Sequence, residues 1–251
     1  MSRPLRVALS VVIPAFNEAG RIGATIEEVT ATFAHMGRAL EIIVVDDGSQ
    51  DNTAEVIREK AKKHAWVRLE SAGAHVGKGA AARRGIAVSK GAEVLVVDAD
   101  LAIPLWEYPG FSRLLAQGAG VVIASKELGR REGTVSQPRL RVLMGRVFNL
   151  AVRMLVLPGV TDSQAGFKLF GGKLARKVVG ESVVDGFAFD VELLALVRLA
   201  GGEVAERAVS CNSGGHSSVR VLADSVKMLL EILSIRRRLG RVKASGRVRD
   251  A

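Results

Sequence analysis

The sequence has little cysteine and few aromatic residues, and these shortages exclude whole classes of protein. Its single cysteine, Cys211, cannot form a disulfide within the chain, which fits a reducing cytosol. Aromatic side chains make up only 4% of the residues, too few to provide stacking surfaces for nucleic acids. With 251 residues and 48% hydrophobic content, the chain can instead bury a full core. We therefore expect a cytoplasmic protein with no nucleic-acid partner.

The sequence also has no apolar run as long as the roughly 18 residues of a membrane-spanning helix. The longest candidate, residues 147–160, is interrupted by Arg153 and Pro158. Positive charge is concentrated at the C-terminus: residues 236–251 hold seven Arg or Lys and one Asp, which leaves +6 of the total +10 in that tail. A basic tail behind a helix favours an anionic membrane surface. These features predict a peripheral protein at the cytoplasmic face of a membrane.

Hydrophobic patterning predicts an α/β protein. Continuous apolar, β-branched runs are typical of strands buried on both faces, and they occur at 7–14, 41–46, 94–98 and 120–124. Helical patterns occur at 19–36, 52–64, 79–90, 138–157, 187–200 and 219–239, with Ser49 or Asp51 as the N-cap of the second. Alternating strands and helices indicate a mainly parallel central sheet. We predict a single α/β domain over residues 1–218, with a C-terminal helical extension over 219–251.

Polar clusters follow three of the predicted strands: "PAFNE" at 14–18, "DDGS" at 46–49 and "DADLAIP" at 98–104. Ligands of open parallel sheets bind beyond the carboxyl ends of the strands, so the three clusters should meet in one crevice. So many carboxylates repel one another unless a cation lies among them. The pair Asp98 and Asp100 suits Mg²⁺ or Mn²⁺, ions that commonly bridge to phosphates. The crevice is therefore predicted to bind a nucleotide diphosphate.

Structural explanations compete with this interpretation. Asp98 and Asp100 could cap the following turn, and Asp46 and Asp47 could form an Asx-turn that leads into a helix. The segment "GAHVGKG" resembles a phosphate-binding loop, but its spacing is wrong and Gly79 replaces the Ser or Thr that would hold Mg²⁺. A P-loop is therefore excluded.

Five motifs in order, "VVIPAFNEAGRI", "VVDDGSQDNT", "HVGKGAAARRGI", "DADLAIP" and "DSQAGFKLF", resemble family 2 glycosyltransferases. The likeness runs from about residue 7 to 239 and is greatest to the polyprenyl-phosphate (dolichyl-phosphate) β-glucosyltransferases and mannosyltransferases. It implies a nucleotide-diphosphosugar-transferase fold, which is Rossmann-like and of the GT-A type. It also implies an inverting transfer of a sugar from a nucleotide diphosphate to a lipid phosphate.

The resemblance assigns roles by position. The residues implied to bind the nucleotide sugar are Pro14, Ala15, Phe16, Glu18, Asp46, Asp47, Lys78, Asp98 and Ala99. Asp100, with Asp98, is implied to hold the Mg²⁺ or Mn²⁺ ion. The sequence departs from the family pattern at Ala165, where cysteine is common, and at His75, where asparagine is usual.

The acceptor side of the site is expected to be basic. A lipid phosphate is already anionic near neutral pH, so it needs positive charge to hold it in line more than it needs a base. The resemblance implies that the acceptor or its phosphate binds at Arg139, Arg141, Arg146, Lys168 and His216. Asp162 is the first candidate for a base or acceptor-orienting residue, and Asp190 is the second. Arg141 and Arg146 could instead be solvated helix charges, Asp190 the polar edge of a helix, and His216 an ordinary loop residue.

The predicted reaction transfers a hexose from a nucleotide diphosphate sugar to a polyprenyl or dolichyl phosphate. Glucose from UDP-glucose is the first candidate. GDP-mannose as the donor, or a soluble acceptor such as a small hydroxy acid, remain alternatives. A sugar nucleotidyltransferase would need a glycine-rich loop after the first strand, and "IPAFNEAGRI" has none. A non-catalytic scaffold would be expected to lose acids that are present here.

The last predicted helix links this chemistry to a membrane. Apolar residues at 219, 222, 226, 229, 230 and 233 form a helical stripe, and Arg236, Arg237 and Arg238 follow at once. The first half of such a helix could close the core. The basic tail behind it is expected to have no core contacts and to bind an anionic bilayer.

Overall fold

A seven-stranded sheet lies at the centre of the protein, whose computed structural model describes residues 7–131, 139–211 and 221–245. The strand order is β3-β2-β1-β4-β6-β5-β7, and only β6 runs antiparallel to its neighbours within this described part. The strands are β1 Leu9–Ala15, β2 Leu40–Asp46, β3 Val67–Ser71, β4 Glu93–Val97, β5 Val121–Ser125, β6 Phe167–Gly171 and β7 Val204–Ala208. The predicted α/β fold with a mainly parallel sheet is confirmed.

Helices cover both faces of the sheet. They are α1 Ile22–His35, α2 Thr53–Lys63, α3 Lys78–Val88, α4 Tyr108–Ala116, α5 Lys126–Arg131, α6 Arg139–Leu155, α7 Gly172–Val179, α8 Phe189–Leu199 and α9 Val221–Ser245, with a 3-10 turn at Leu105–Glu107. The N-cap of α2 is Asn52 rather than Ser49 or Asp51. Asp51, the residue before the N-cap, still accepts a hydrogen bond from the backbone N–H of Thr53 at 3.0 Å. It therefore satisfies one of the free N–H groups of the first turn.

The four strands expected from apolar runs correspond to β1, β2, β4 and β5, whereas β3, β6 and β7 were missed. β3 and β7 lie at the two edges of the sheet, and their sequences, "VRLES" and "VAERA", carry charged residues. Edge strands are paired on one side only and tolerate charge. β6, "FKLFG", has Lys168 in an otherwise apolar strand. In each case the charged side chains interrupt the continuous apolar run that marks a fully buried strand.

Successive residues of the central strands face two separate cores. Val12 and Ile43 belong to the cluster that packs against α3, α7 and α8, while Val11 and Ile42 face α1 and α4 on the other side. Because side chains alternate along a strand, a run that is apolar at every position supplies both cores. The sheet beneath the crevice is therefore buried on both faces.

The last helix, α9, packs into the first of these cores. Ile232, Ile235 and Val242 are at most 8% exposed and join the cluster that contains α3 and α8. The expectation that the chain beyond residue 236 has no core contacts is therefore wrong, because α9 continues to Ser245 and Val242 is buried. The expected boundary near 218–219 lies outside the described residues. None of the helices in the described ranges is long and apolar enough to cross a membrane.

Candidate active site

The segments that follow β1 and β2 are joined by hydrogen bonds at the C-terminal edge of the sheet. The backbone N–H of Asn17 donates to Ser49 Oγ at 2.9 Å, and that of Glu18 donates to Thr53 Oγ1 at 2.8 Å. Asn17 returns a contact by accepting the N–H of Gln50 at 2.8 Å. Asn17 has a φ of 55°, in the left-handed region that asparagine tolerates better than most residues. The "PAFNE" and "DDGS" clusters therefore form one wall, with Pro14 and Ala15 at its base in β1.

Asp46 and Asp47 have different roles in this wall. Asp46 accepts the N–H of Ser49 at 3.1 Å, which is the turn contact expected from the structural alternative. Asp47 is 2% exposed and accepts the N–H groups of Val76 and Gly77 at 3.0 and 2.9 Å. Asp47 thus connects the end of β2 to the loop that enters α3.

His75, one of the two departures from the family pattern, lies directly against this carboxylate. Its Nδ1 is 2.8 Å from Asp47 Oδ2, and its ring stacks on Phe16 with centroids 4.0 Å apart. Phe16 remains 37% exposed. The imidazole can therefore make the polar contact with Asp47 and adds an aromatic face beside Phe16.

Lys78 and Asp98 form an ion pair across the crevice. The Nζ–Oδ1 distance is 2.6 Å, and the two side chains are 27% and 35% exposed. Burial alone would raise the pKa of Asp98, but Lys78 outweighs it and holds that pKa below its usual value. Burial would likewise lower the pKa of Lys78, but Asp98 and Asp190 outweigh it and raise that pKa. Both groups are charged at neutral pH.

Gly166 makes room for the Asp98 carboxylate. Its carbonyl accepts the N–H of Asp98 at 3.2 Å, and a Cβ at this position would lie 2.0 Å from Asp98 Oδ2. No side chain fits at that distance. The glycine of "DSQAGFK" thus has a direct steric role in the site that sequence analysis did not assign to it.

Asp100 lies at the open side of the crevice. It is exposed, and its Oδ1 accepts the N–H of Ala102 at 3.1 Å. Partial burial raises the pKa of Glu18; Arg21 opposes this rise, and the negative charges of Asp100, Asp51 and Asp98 add to it. Between Asp98 and Asp100, Ala99 is buried, and its carbonyl accepts Thr25 Oγ1 at 2.6 Å.

These acids fit a divalent cation that also binds a diphosphate. Within the described ranges, no three His, Cys, Asp or Glu side chains are grouped closely enough to hold a metal ion by themselves. Mg²⁺ is commonly bound through one or two carboxylates, with phosphate oxygens and water completing its coordination. Asp100, with Asp98 beside it, provides a donor set of this incomplete kind.

Lys168 and Asp190 form a second ion pair, which is buried beneath the crevice. Their Nζ–Oδ1 distance is 2.9 Å with side chains 4% and 6% exposed, and Lys168 also donates to the carbonyl of Ala165 at 2.5 Å. Burial raises the pKa of Asp190, and Lys168 offsets the rise only in part. This geometry corrects the assignment of Lys168 to the acceptor phosphate, because a buried, paired ammonium is not accessible to it. Asp190 is buried in the same pair, and its negative charge is one of those that raise the pKa of Lys78.

Asp162 is half-buried in the loop before β6, and its backbone and side chain are both engaged. Its Oδ2 accepts the N–H of Lys126 at 2.9 Å, and its own N–H donates to Glu206 Oε1 at 3.0 Å. The positive charge of Lys126 also contributes to the lowered pKa of Asp98, after the larger effects of Lys78 and Lys168. Lys126 and Glu206 were both missed, since neither belongs to a recognised motif.

The remaining acceptor assignments are not tested by this geometry. Arg139, Arg141 and Arg146 lie on α6, in a part for which the structure describes the backbone alone. His216 lies outside the described residues.

Comparison with known proteins identifies the family. Residues 10–178 match glycosyl transferase family 2. A dolichyl-phosphate beta-glucosyltransferase of Trichomonas vaginalis is 32% identical over 242 residues, covering 92% of this chain and 72% of that protein. The human dolichyl-phosphate beta-glucosyltransferase is 30% identical over 246 residues, covering 92% and 75%.

A solved structure agrees with the fold. Glucosyl-3-phosphoglycerate synthase from Mycobacterium tuberculosis, in complex with Mn²⁺ and UDP-glucose, superposes with a TM-score of 0.64 at 21% identity, covering 91% of this chain and 78% of that one. At this identity the likeness shows the fold alone, and it confirms the predicted glycosyltransferase architecture. The chain belongs to glycosyl transferase family 2.

Proposed function

We propose that this protein transfers glucose, with inversion, from UDP-glucose to the phosphate of a polyprenyl or dolichyl lipid. The observation that carries the proposal is the Lys78–Asp98 ion pair beside the exposed Asp100, at the edge where α/β sheets bind nucleotides. The names of the relatives support the glucosyl group and the lipid phosphate. The related structure that binds UDP-glucose supports the choice of nucleotide.

In this proposal the donor binds along the wall formed by β1, β2 and the start of α3. Phe16 and His75 offer an aromatic face to the base, and Asp47 lies behind them with its carboxylate held by backbone N–H groups. Lys78 lies at the N-terminus of α3, where its ammonium and the helix dipole both attract a diphosphate. Asp98 then orients the Lys78 ammonium toward the crevice.

Asp100, with Asp98, would hold Mg²⁺ or Mn²⁺ against the diphosphate. When bound there, the ion would supply positive charge to the leaving diphosphate. In the reaction, a lipid phosphate oxygen forms the new bond to the anomeric carbon from the face opposite UDP. UDP leaves with the bonding electron pair, so the configuration is inverted.

The acceptor phosphate needs orientation more than proton removal. Asp162 holds the start of α5 through the Lys126 N–H, so Asp162 would position the Lys126 side chain beside the acceptor. Arg139, Arg141 and Arg146 near the start of α6 would provide further positive charge. We assign Asp162 an orienting role on this basis, because an anionic nucleophile gains little from a general base.

The membrane contact is proposed for the outer faces of α6 and α9. Five large apolar side chains are exposed there, by 41–72% of their surface: Val147, Leu150, Met154, Leu230 and Leu233. Exposed basic residues continue along α9 at Arg236, Arg237, Arg241 and Lys243. Apolar side chains followed by cations suit the interface of an anionic bilayer, where each cation contributes about 1 kcal/mol. The cytoplasmic face, where the leaflet is anionic, is the proposed location.

The test supplies labelled UDP-glucose and Mn²⁺ with a short-chain polyprenyl phosphate in detergent or with a water-soluble hydroxy acid. We expect the label to enter the lipid fraction. In a parallel reaction with labelled GDP-mannose, we expect slower transfer. Label found only in the soluble acceptor would replace the lipid by the soluble reaction. Label transferred faster from GDP-mannose would change the donor.

The membrane contact has its own test with anionic vesicles. We expect the protein to sediment with them at low salt, and about 0.5 M NaCl to release most of it by screening. Replacing Arg236, Arg237 and Arg241 together by Glu should abolish this binding. Substitution is preferable to deletion of residues 236–251, because deletion also removes the buried Val242. Equal sedimentation of the triple variant would contradict the proposal.

A further inference from the structure

A buried glutamate on α8 organises the segment that precedes that helix. Glu192 is 2% exposed, and its Oε2 accepts Ser182 Oγ at 2.7 Å and the N–H groups of Val183 and Val184 at 2.8 and 2.9 Å. One carboxylate oxygen therefore fixes three consecutive residues. We refer to residues 181–185 as the bridging segment.

Arg238 of α9 neutralises this carboxylate. Its guanidinium pairs with Glu192 Oε1 and also donates to the carbonyl of Glu181, the first residue of the bridging segment. The Arg238 side chain is 24% exposed, in contrast to the exposed Arg236 and Arg237 before it. Arg238 thus connects α9 to the bridging segment directly, at Glu181, and indirectly, through Glu192 on α8.

The other end of the bridging segment holds the start of α3. The carbonyl of Asp185 accepts the N–H groups of Gly79 and Ala80 at 2.7 and 3.3 Å, and Arg83 donates to the carbonyl of Val184 at 3.0 Å. A Cβ at Gly79 would lie 2.5 Å from the Val184 carbonyl oxygen.

Gly77 makes the same close approach. A Cβ there would lie 2.4 Å from the Asp185 carbonyl oxygen, and its φ of 137° belongs to the region that only glycine adopts readily. Glycines on both sides of Lys78 are therefore needed for the bridging segment to lie against the helix start. The place where α3 begins depends on where that segment lies.

We propose that Arg238 is a positioning residue for the nucleotide sugar, acting through Glu192 and the bridging segment on Lys78. The inference rests on the proposed function, in which Lys78 binds the donor diphosphate. Lys78 is the first residue of α3, so a shift of the helix start moves its ammonium relative to Asp98. A displacement of about 1 Å is enough to cost up to about 100-fold in a positioned reaction.

Under this proposal, the two faces of α9 have different functions. Its outer face carries Leu230, Leu233 and Arg237, which are exposed, while Arg238 on the inner side reaches the bridging segment. The helix proposed to contact the bilayer is therefore also the helix that supports the donor site.

The test measures UDP binding by calorimetry in the presence of Mn²⁺, using the full chain without acceptor or membrane. Arg238→Gln should weaken UDP binding by about 10-fold, the loss expected when a buried charged contact is removed. Arg238→Lys keeps the positive charge and should bind UDP more tightly than Arg238→Gln. Arg58→Gln, which breaks the exposed Arg58–Glu55 pair, is the matched control and should bind UDP as the wild type does.

A double-mutant cycle separates positioning from general destabilisation. If Arg238 acts through Lys78, adding Arg238→Gln to Lys78→Met should weaken UDP binding by less than twofold beyond the single Lys78→Met change. Equal losses in both backgrounds, or unchanged UDP affinity in Arg238→Gln, would overturn the proposal. If Arg238→Gln fails to fold, Arg238→Lys takes its place in the cycle. UDP affinity is then compared between Arg238→Lys and wild type, each with and without Lys78→Met, and the same outcomes decide. Absence of UDP binding to the wild type would instead contradict the proposed function.

Discussion

Two lysine–aspartate pairs lie close together in this molecule, with similar geometry and opposite access to solvent. Lys78 and Asp98 are 2.6 Å apart and about a third exposed, whereas Lys168 and Asp190 are 2.9 Å apart and at most 6% exposed. Asp98 directly follows the end of β4, at the crevice, while Lys168, the second residue of β6, is paired in register with Val96, two residues further into the sheet. The residue types are the same, so position in the sheet decides which pair a ligand can reach.

The two pairs also differ in how well each carboxylate is compensated. At Asp98 the attraction of Lys78 exceeds the effect of burial, and the pKa lies below its usual value. At Asp190 burial exceeds the attraction of Lys168, and the pKa lies above its usual value. The crevice pair is partly exposed, so a ligand can reach both of its members. The buried pair of Lys168 and Asp190 has no comparable access to solvent or to a ligand.

The largest expected effect falls on Asp100, the exposed acid at the open side of the crevice. Asp100→Asn should reduce transfer by about 10³-fold, because a metal-based charge stabilisation is removed from the transition state. The melting temperature should not change, since the side chain is exposed. Glu55→Gln, which removes an exposed acid that pairs with Arg58 on α2, is the control. Undiminished activity of Asp100→Asn, or of the wild type in EDTA, would refute the metal assignment.

The second prediction breaks the buried pair. Lys168→Met leaves the Asp190 carboxylate buried without a partner, which should cost about 3–5 kcal/mol of unfolding free energy. Urea denaturation measures this loss. Replacing both residues, Lys168→Met with Asp190→Leu, should recover most of it, because a well-packed apolar pair can match a buried ion pair. If Lys168→Met were as stable as the wild type but unable to bind the acceptor, the original assignment to the phosphate would be restored.

The third prediction breaks the crevice pair in the same way. In Lys78→Met the Asp98 carboxylate can still reach water, so the loss of stability should be no more than about 1 kcal/mol. UDP affinity should fall by about 10-fold, because a charged contact to the diphosphate is removed. The contrast with Lys168→Met is the direct test of the comparison. A large stability loss in both variants would mean that solvent access does not distinguish the two pairs.

Sequence reasoning located the crevice but not the buried contacts beneath it. The acids of "DDGS" and "DADLAIP" directly follow strands, and strand ends can be recognised from local pattern. The Lys168–Asp190 pair joins β6 to α8 and is visible only after both have packed. Arg238 was misinterpreted because three consecutive arginines are typical of a solvated surface. A helical signal was present all the same: Ile235, Arg238 and Val242 are spaced for one helix face, and that face is the inner one.

The fourth prediction concerns Asp162, whose contacts are to backbone and whose role is proposed to be orientation. Asp162→Asn keeps the size and one acceptor oxygen for the Lys126 N–H, so transfer should fall by only about 10-fold. The pH profile of kcat should keep the shape of the wild type, because no obligatory proton acceptor has been removed. If the rise of kcat with pH disappeared in Asp162→Asn, Asp162 would be a general base, and the acceptor would be a hydroxyl group. Asp190→Asn, measured beside it, should change stability rather than the pH profile.

The smallest expected effect is at His75. Its contact with Asp47 is intermediate between the two lysine–aspartate pairs in solvent exposure. The histidine side chain is 55% exposed and the aspartate 3%, so one partner faces the solvent and the other is buried. His75→Asn restores the residue expected from the family and keeps a donor for Asp47, but it removes the ring stacked on Phe16. Aromatic stacking contributes about 0.5–1.5 kcal/mol, so UDP affinity should fall by about 2- to 10-fold.

His75→Ala distinguishes the two contributions of that ring. It removes both the stacking and the donor to Asp47, so UDP affinity should fall further than in His75→Asn, while the backbone N–H groups of Val76 and Gly77 keep the carboxylate in place. Stability should change little in either variant, because the ring is exposed. Calorimetric titration of UDP into the three proteins measures the series. Equal affinity in wild type and His75→Asn would show that the stacked ring contributes nothing to the base site. Tighter binding in His75→Ala would mean that the imidazole occupies space the nucleotide needs.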